Sequence, residues 1–298
     1  MQKIQRAAVI GHPIGHTMSP FIQKRLFELS SIPMEYQVLD VPDLAAAMDE
    51  LRSLDCFNIT IPHKSAVIPF LSGLSERAKL CGSVNTVKVK DGKLYGDTSD
   101  GPGASVALSI YGESVKDKKI LLLGNGGAAR AIAFVIAEHP DFHLTIVHRE
   151  GSYEKANALA QSLADFARNR GDRHFLITVM SYAELEAEAQ GRGKRYDLLI
   201  NATSVGMYPK TGASPVGKRV VAQCGTVFDA VYNPRETELL RLAKQNGVKT
   251  IGGMGMLVCQ AAYSHHIWFG TEFQNKDLLR LIEDAAVEME RVFGKGGV

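Results

Sequence analysis

The stretch "ILLLGNGGAARAIA", residues 120–133, decides the fold of the larger part of the chain. Four apolar residues predict a buried strand, and Gly124, Gly126 and Gly127 follow at once. In such a turn, glycines let the backbone bend sharply and approach a pyrophosphate, while the amides of the next helix bind the anion. Ala129 takes the third small-residue position, where the helix packs on the strand. The stretch predicts a dinucleotide-binding strand–turn–helix unit, and the alternative is a glycine-rich turn without a ligand.

Strands and helices alternate along the chain after this motif. The segments "HLTIVHR", "HFLITVM", "YDLLIN" and "GTVFDAVY" are strand-like and are separated by helical patterns, which predicts a doubly wound parallel sheet of the Rossmann type. The first third is a mixed α/β unit in which Asp91-Gly92 predicts a hairpin. We predict an α/β fold of two domains, with the ligand site in the cleft between them. The first spans residues 1–103, completed by C-terminal helices at 256–298, and the second spans 104–255.

The segment "FNITIPHK", residues 57–64, combines a strand pattern with a proline and a lysine. Positions 57, 59 and 61 are apolar and predicted to face the core, whereas Asn58 and Thr60 share the opposite face. Pro62 cannot continue a central strand, so Lys64 is expected at the strand end. This face either lines a ligand cleft or belongs to an edge strand protected by a lysine.

Composition points to small-molecule partners. The 298 residues include 34 basic and 32 acidic side chains, giving a net charge of +2 without dense basic runs. This balance gives no electrostatic case for nucleic acid or a membrane surface. Four widely separated cysteines suggest neither a zinc site nor a disulfide framework, so we expect reduced thiols, a cytoplasmic location and no metal. The chain is expected to be a monomer or a homodimer.

The choice between NADP and NAD depends on the end of the second strand of the Rossmann unit. There the sequence "TIVHRE" offers Arg149 and then Glu150. An arginine pairs with a 2'-phosphate and favours NADP, whereas an acidic residue accepts from a ribose hydroxyl and favours NAD. The spacing leaves both readings open.

Eight short segments carry a resemblance to a known family. In chain order they are "GHPIGHTMSP", "FNITIPHK", "GSVNTV", "GDTSDG", "GNGGAARA", "INATSVGM", "DAVYNPRETELLRLA" and "GGMGMLVCQAAYSHHIWFG". They span nearly the whole chain and resemble the motifs of the shikimate dehydrogenases, within the shikimate/quinate dehydrogenase superfamily. The resemblance implies reversible, NADP-dependent oxidation of shikimate, a cyclohexene carboxylate, to 3-dehydroshikimate in the shikimate pathway of aromatic amino acid biosynthesis.

The resemblance also implies roles for individual residues. Lys64 and Asp100 match the catalytic pair of the family. The residues expected at the substrate are Thr17 and Ser19 at its carboxylate, Thr60, Asn85, Asp100 and Gln260 at its ring hydroxyls, and Tyr232 nearby. Those expected at the cofactor are Gly124, Asn125, Gly126, Gly127, Ala128, Ala129, His148, Arg149, Asn201, Thr203, Ser204, Met207 and Gly253.

The chain departs from the family pattern at the substrate end. The usual Ser-x-Ser is Thr17-Met18-Ser19, His-Asn is replaced by Gln23-Lys24, and Asn-Thr before the catalytic aspartate has become Thr98-Ser99. A hydroxyl gained or lost in such a pocket changes selectivity by orders of magnitude. Oxidation of quinate or aminoshikimate with NAD or NADP is therefore the alternative reaction. A ligand sensor without catalysis is the alternative outside enzymes, and retention of Lys64 and Asp100 favours the enzyme.

Overall fold

A computed structural model describes residues 4–15, 17–190 and 195–293. The chain forms two compact units. Unit 1 contains Met1–Gly103 and Val258–Val298, and unit 2 contains Ala104–Leu257. Residues 294–298 of the predicted C-terminal segment lie outside the described part. Each unit is built on one six-stranded sheet, and the predicted α/β fold is confirmed.

The sheet of unit 1 is mixed. Its strands run in the order β2-β1-β3-β5-β6-β4. β1 pairs in parallel with β2 and β3, whereas β3, β5 and β6 are antiparallel neighbours. The hairpin joins β5 and β6, and its turn residues Asp91 and Gly92 have φ values of 52° and 69°, as the Asp-Gly pair predicts. The strands are β1 (Gln5–Gly11), β2 (Met34–Asp40), β3 (Cys56–Ile59), β4 (Gly73–Leu74), β5 (Thr86–Lys90) and β6 (Lys93–Asp97).

Strand β3 is shorter than its alternating sequence predicts. Phe57 and Ile59 are buried in the core of unit 1, but Ile61 is 67% exposed, so its predicted core position is wrong. The alternation places side chains only while the strand is paired, and pairing with β1 ends at Ile59. The backbone N–H of Thr60 still donates to the Ile10 carbonyl at 2.9 Å, after which the chain turns away.

The sheet of unit 2 is entirely parallel. Its order β12-β11-β10-β7-β8-β9 places β7 centrally, beside β10 and β8. This is the doubly wound arrangement that the alternating segments predict. The strands are β7 (Lys119–Leu123), β8 (His143–His148), β9 (Leu176–Ser181), β10 (Tyr196–Asn201), β11 (Cys224–Asp229) and β12 (Lys249–Ile251).

Helices begin close to the strand ends in both units. The first starts at Ser19 with Pro20 in its first turn, a position where the missing N–H costs no helical hydrogen bond. The helices are α1 (Ser19–Ser30), α2 (Met48–Arg52), α3 (His63–Ala66), α4 (Glu76–Cys81), α5 (Asp100–Ile110), α6 (Gly127–Ala137), α7 (Tyr153–Asn169), α8 (Tyr182–Glu188), α9 (Lys218–Ala222), α10 (Glu238–Gln245), α11 (Met254–Phe269) and α12 (Asn275–Phe293).

A histidine lies in the aromatic core of unit 1. His265 on α11 is fully buried, and burial lowers its pKa to about 3, so the imidazole is neutral. Its Nε2 lies 2.9 Å from Oε1 of Gln23, and its Nδ1 has no hydrogen-bond partner among the described residues. Nε2 therefore carries the proton and donates to Gln23. The rings around His265 are those of Phe27, Trp268, Phe269 and Phe273.

Neither a membrane span nor a metal cluster is present in the described ranges. Among these residues no helix is long and apolar enough to cross a membrane. No group of three or more His, Cys, Asp or Glu side chains there is arranged to hold a metal ion.

We expect His265 to make stability pH-dependent. In the unfolded chain His265 binds a proton below its ordinary pKa of 6.5, whereas in the folded chain its pKa is about 3. The free energy of unfolding therefore falls as pH drops from 6.5 toward 3. Between pH 7.5 and pH 5 this protonation lowers the free energy of unfolding by about 2 kcal/mol. Urea unfolding of wild type and His265→Phe at both pH values measures it. The variant is expected to lose about 2 kcal/mol less between them, and equal losses would contradict the assignment.

Candidate active site

Lys64 and Asp100 form an ion pair in unit 1. Lys64 lies on α3, directly after β3, and Asp100 is the first residue of α5. Lys64 Nζ is 2.6 Å from Asp100 Oδ2, and the side chains are 25% and 7% exposed, respectively. A carboxylate at a helix N-terminus is stabilised by the exposed amides and the helix dipole. The ammonium group is therefore accessible to a ligand while its counter-ion is held inside the protein.

Asn85 fixes the other oxygen of that carboxylate. The backbone N–H of Ser99 donates to Asn85 Oδ1 at 2.8 Å, which identifies this atom as the amide oxygen. Asn85 Nδ2 then donates to Asp100 Oδ1 at 2.7 Å. Both carboxylate oxygens of Asp100 are thus bonded to donors, as a buried charge requires.

Gln260 of α11 joins the same cluster. Its Oε1 accepts from Asn85 Nδ2 at 3.0 Å and lies 3.2 Å from Ser99 Oγ. The close approach depends on Gly103 of α5, because an added Cβ there would lie 2.6 Å from the Gln260 backbone. The structure brings Lys64, Asp100, Asn85 and Gln260 together, although they come from four separate segments of the sequence.

Asn58 is used by the protein itself. Its Oδ1 accepts from the Tyr36 hydroxyl at 2.9 Å and from Gln23 Nε2 at 3.0 Å, and its Nδ2 donates to Ser264 Oγ at 3.1 Å. It is buried, so the ligand-facing role expected for the polar side of β3 does not apply to it. Sequence reasoning missed Tyr36 and Ser264. The one available signal was that Ser264 follows Gln260 by four residues and shares its helix face.

The expected carboxylate-binding hydroxyls lie together. Thr17 Oγ1 donates to Ser19 Oγ at 3.1 Å, and Ser19 also hydrogen-bonds the hydroxyl of Tyr36. Burial raises the pKa of Tyr36 well above its ordinary value, so this phenol stays protonated. Thr60 is half-buried and packs against Gly11, where an added Cβ would lie 2.6 Å from the Thr60 methyl.

The glycine turn of unit 2 has the geometry that the motif predicts. Gly124 has a φ of 104°, which other residues rarely adopt, and a Cβ there would lie 3.0 Å from Thr203 Cγ2. Around Gly126, no atom of the described residues lies within 4 Å of an added Cβ. Helix α6 begins with Gly127 and Ala128, and its third residue, Ala129, is fully buried. The turn leaves open space at a helix N-terminus, the arrangement that suits an anion.

The residues after β8 hold an arginine beside this turn. Arg149 Nε donates to Ser152 Oγ at 3.3 Å, and Asn125 Nδ2 donates to the Ser152 carbonyl at 3.1 Å. Ser152 therefore links the glycine turn to Arg149. His148 is buried, with Nδ1 2.9 Å from the Arg149 carbonyl, whereas Glu150 is exposed.

A buried carboxyl group supports the loop after β10. Asn201 Nδ2 and the Thr237 hydroxyl donate to the two oxygens of Asp229 at 2.9 and 2.6 Å. Asn201 is fully buried, and its Oδ1 accepts from the Thr203 hydroxyl at 2.7 Å. Burial raises the pKa of Asp229. Asn201 thus orients the loop from within, while Ser204 and Met207 are exposed on it.

Two further expected site residues lie in unit 2. Gly253 leaves no room for a side chain, because an added Cβ would lie 2.6 Å from the Val231 carbonyl carbon. Tyr232 is half-buried, and burial raises the pKa of its phenol, which keeps the hydroxyl protonated as a donor.

The family model and the curated relatives indicate one family. Residues 9–87 match the model of the shikimate dehydrogenase substrate binding domain. The chain is 38% identical over 275 residues to shikimate dehydrogenase (NADP(+)) of Caldanaerobacter subterraneus, covering 91% of this chain and 93% of that one. It is 37% identical over 275 residues to the protein of the same name from Methanocaldococcus jannaschii, covering 91% and 93%.

A solved structure gives the same result. Shikimate 5-dehydrogenase of Thermus thermophilus, in complex with NADP(H) and shikimate, superposes with a TM-score of 0.80 at 29% identity. The match covers 95% of this chain and 100% of that one. The likeness therefore extends over both units.

We predict that Asp229 stabilises unit 2 through its acceptor oxygens. Asp229→Asn replaces one oxygen by a donor that faces donors, which should lower the free energy of unfolding by about 2 kcal/mol. Urea unfolding measures the change. Asp165→Asn is the control, because among the described residues this exposed carboxylate pairs only with Arg168 and should change stability by less than about 0.5 kcal/mol. Equal losses in both variants would contradict the prediction.

Proposed function

The chain belongs to the shikimate dehydrogenase family, and we propose that it catalyses the reversible oxidation of shikimate to 3-dehydroshikimate with NADP+. The observation that carries the proposal is the Lys64–Asp100 pair, whose carboxylate is fixed by Asn85 beside Gln260. The names of the relatives support both the substrate and the cofactor. A buried carboxylate paired with an accessible lysine is a means of moving a proton, which favours an enzyme over a ligand sensor.

The proposed roles of the catalytic pair follow from the bonds that change. Oxidation of an alcohol removes the hydroxyl proton and a hydride from the same carbon, and NADP+ supplies the acceptor for the hydride. Lys64 takes the proton from the 3-hydroxyl in oxidation and returns one to the ketone oxygen in reduction. Asp100 holds the Lys64 ammonium group in place. The ion-paired state is therefore ready for ketone reduction, and oxidation requires the pair to lose a proton first.

We propose that unit 1 binds the substrate. Thr17 and Ser19 provide neighbouring hydroxyls for the carboxylate. Thr60, Asn85 and Gln260 provide polar groups for the ring hydroxyls around the catalytic pair. Tyr232 is proposed as a further hydrogen-bond donor, because burial raises the pKa of its phenol and keeps the hydroxyl protonated. Hydroxyl and amide groups of this kind select a substrate by the hydrogen bonds that a poorer substrate leaves unmade.

We propose that unit 2 binds the dinucleotide. The residues fit such a group, since the open turn at Gly124–Gly127 would admit a pyrophosphate at the first amides of α6. The loop supported by Asn201 would provide Thr203, Ser204 and Met207 to the rest of the cofactor. Gly253 would border it where no side chain fits.

NADP is the proposed cofactor because of Arg149. Its Nε is bonded to Ser152, which leaves the rest of the guanidinium to pair with a 2'-phosphate. Arg149 and Glu150 are both exposed, and of the two it is the Arg149 side chain that is hydrogen-bonded to Ser152 beside the glycine turn. We place the reaction in the cytoplasm, where the four buried free thiols would stay reduced.

We predict that Lys64→Met abolishes most of the turnover. The side chain keeps its length but cannot carry a proton, so kcat for shikimate oxidation should fall by about 10²- to 10⁴-fold. NADPH absorbance at 340 nm follows the reaction on wild type and variant. Lys79→Met is the matched control, because Lys79 is exposed and, in the part of the chain that the structure describes, pairs only with Glu76 one helical turn away.

The outcomes separate the alternatives. Wild-type turnover of shikimate with loss only in Lys64→Met supports the proposed reaction. Turnover confined to quinate would identify a different substrate, and ligand binding without turnover would identify a sensor. A Lys64→Met variant with kcat near that of wild type would refute the role of Lys64.

We predict that Arg149 sets the cofactor preference. Arg149→Ala removes a charged hydrogen bond to the 2'-phosphate, which should raise KM for NADP by about 10- to 100-fold and leave KM for NAD nearly unchanged. Initial rates with each dinucleotide measure the change, and Glu150→Ala is the control on the neighbouring residue. If Glu150→Ala alone changed the ratio of the two KM values, the preference would rest on Glu150.

A further inference from the structure

A continuous hydrogen-bonded chain lies behind the catalytic pair in unit 1. It begins at His265, passes through Gln23 and Asn58 to Ser264, and reaches Ser99, whose N–H and hydroxyl contact Asn85. The heavy-atom distances along it are 2.9, 3.0, 3.1, 3.2 and 2.8 Å. All of these side chains are buried. The proposed reaction itself uses only the last link, Asn85, so the rest of the chain has no role assigned so far.

The backbone carbonyl of Asn85 gives the chain one direction. Asn58 Nδ2 donates to this oxygen at 3.4 Å as well as to Ser264, so Asn58 presents Oδ1 to Gln23. Gln23 then presents Nε2 to Asn58 and Oε1 to His265, whose Nε2 must donate. Flipping either amide alone would place donor against donor or oxygen against oxygen. The same orientation therefore holds along the chain from the aromatic core to Ser264.

Ser264 is the point at which this chain meets the site. Its Oγ donates to the Gln260 carbonyl at 3.1 Å, accepts from Asn58 Nδ2 at 3.1 Å and lies 3.2 Å from Ser99 Oγ. With its single proton given to Gln260, it acts as an acceptor for both other groups. Ser99 Oγ lies 3.2 Å from Gln260 Oε1 and from Asn85 Oδ1, so it contacts both amides that are proposed to bind the ring hydroxyls.

We propose that Ser264 is a positioning residue for the reaction, holding the Asn85 and Gln260 amides in the orientation that receives the ring hydroxyls. It touches neither substrate nor cofactor and acts through Ser99 and Gln260. The proposal rests on the proposed function. Removing its hydroxyl takes the shared partner from Asn58 Nδ2 and Ser99 Oγ, and so loosens the Ser99 hydroxyl that lies 3.2 Å from both amides.

The kinetic test is a double-mutant cycle of Ser264→Ala and Gln260→Ala. Ser264→Ala should raise KM for shikimate by about fivefold to tenfold, the value of one hydrogen bond, without changing KM for NADP. In the Gln260→Ala background the same substitution should change KM by less than about twofold, because the group it positions is gone. A purely structural loss would affect both backgrounds equally. Ser162→Ala is the control, since its Oγ makes the same helical bond, to the Ala158 carbonyl, and should leave both constants unchanged.

A second measurement needs no substrate. In protein labelled with ¹⁵N at asparagine and glutamine side chains, Ser264→Ala should shift the amide signals of Asn85 and Gln260 and speed their hydrogen exchange. Asn85→Asp and Gln260→Glu assign these signals by their loss. Ser162→Ala should leave them in place.

The outcomes distinguish this inference from the proposed function. Wild type that turns over shikimate, with Ser264→Ala kinetically identical to it, overturns the inference and leaves the function intact. Wild type without turnover on shikimate refutes the function, and the amide signals then decide the inference. Unchanged Asn85 and Gln260 signals in Ser264→Ala overturn it in either case.

Discussion

The structure of the site depends on keeping one carboxylate charged inside the protein. Asp100 is almost fully buried, and an isolated charge there would be costly unless both of its oxygens were bonded. Lys64 satisfies one oxygen and Asn85 the other, and each comes from a different strand end. β3 and β5 are neighbours in the sheet of unit 1, and this pairing brings Lys64, which follows β3, and Asn85, which precedes β5, to the same place. The arrangement around Asp100 therefore depends on the pairing of these two strands.

Around that charge the protein uses neutral groups. A second buried carboxylate beside Asp100 would favour protonation of one of the two, whereas amides and hydroxyls fix positions without competing for the proton. Gln23, Asn58, Ser99 and Ser264 are such groups, and neutral His265 completes them. Gln23 and Ser99 are also two of the departures from the family pattern. Their contacts with His265 and Ser264 give these departures a common physical reason: each makes a bond within one connected network.

Sequence reasoning predicted much of this structure. The glycine turn, the parallel sheet of unit 2 and the Asp-Gly hairpin followed from local rules that hold wherever such residues occur. The alternation in β3 failed at Ile61, because periodicity does not reveal where a neighbouring strand stops pairing. One of the two readings of β3 placed Asn58 against a ligand, but its hydrogen-bond partners Tyr36 and Ser264, 22 and 206 residues away in sequence, bury it. Only the fold brings such residues together, so no pattern of spacing could have identified them.

The most direct test of the account is a crystal structure of the protein with shikimate and NADP+. The account predicts that the 3-hydroxyl of shikimate lies within hydrogen-bond distance of Lys64 Nζ and the Asp100 carboxylate, with Asn85 still donating to Asp100. A substrate bound with that hydroxyl away from the pair, or an Asn85 amide turned away from Asp100, would contradict it.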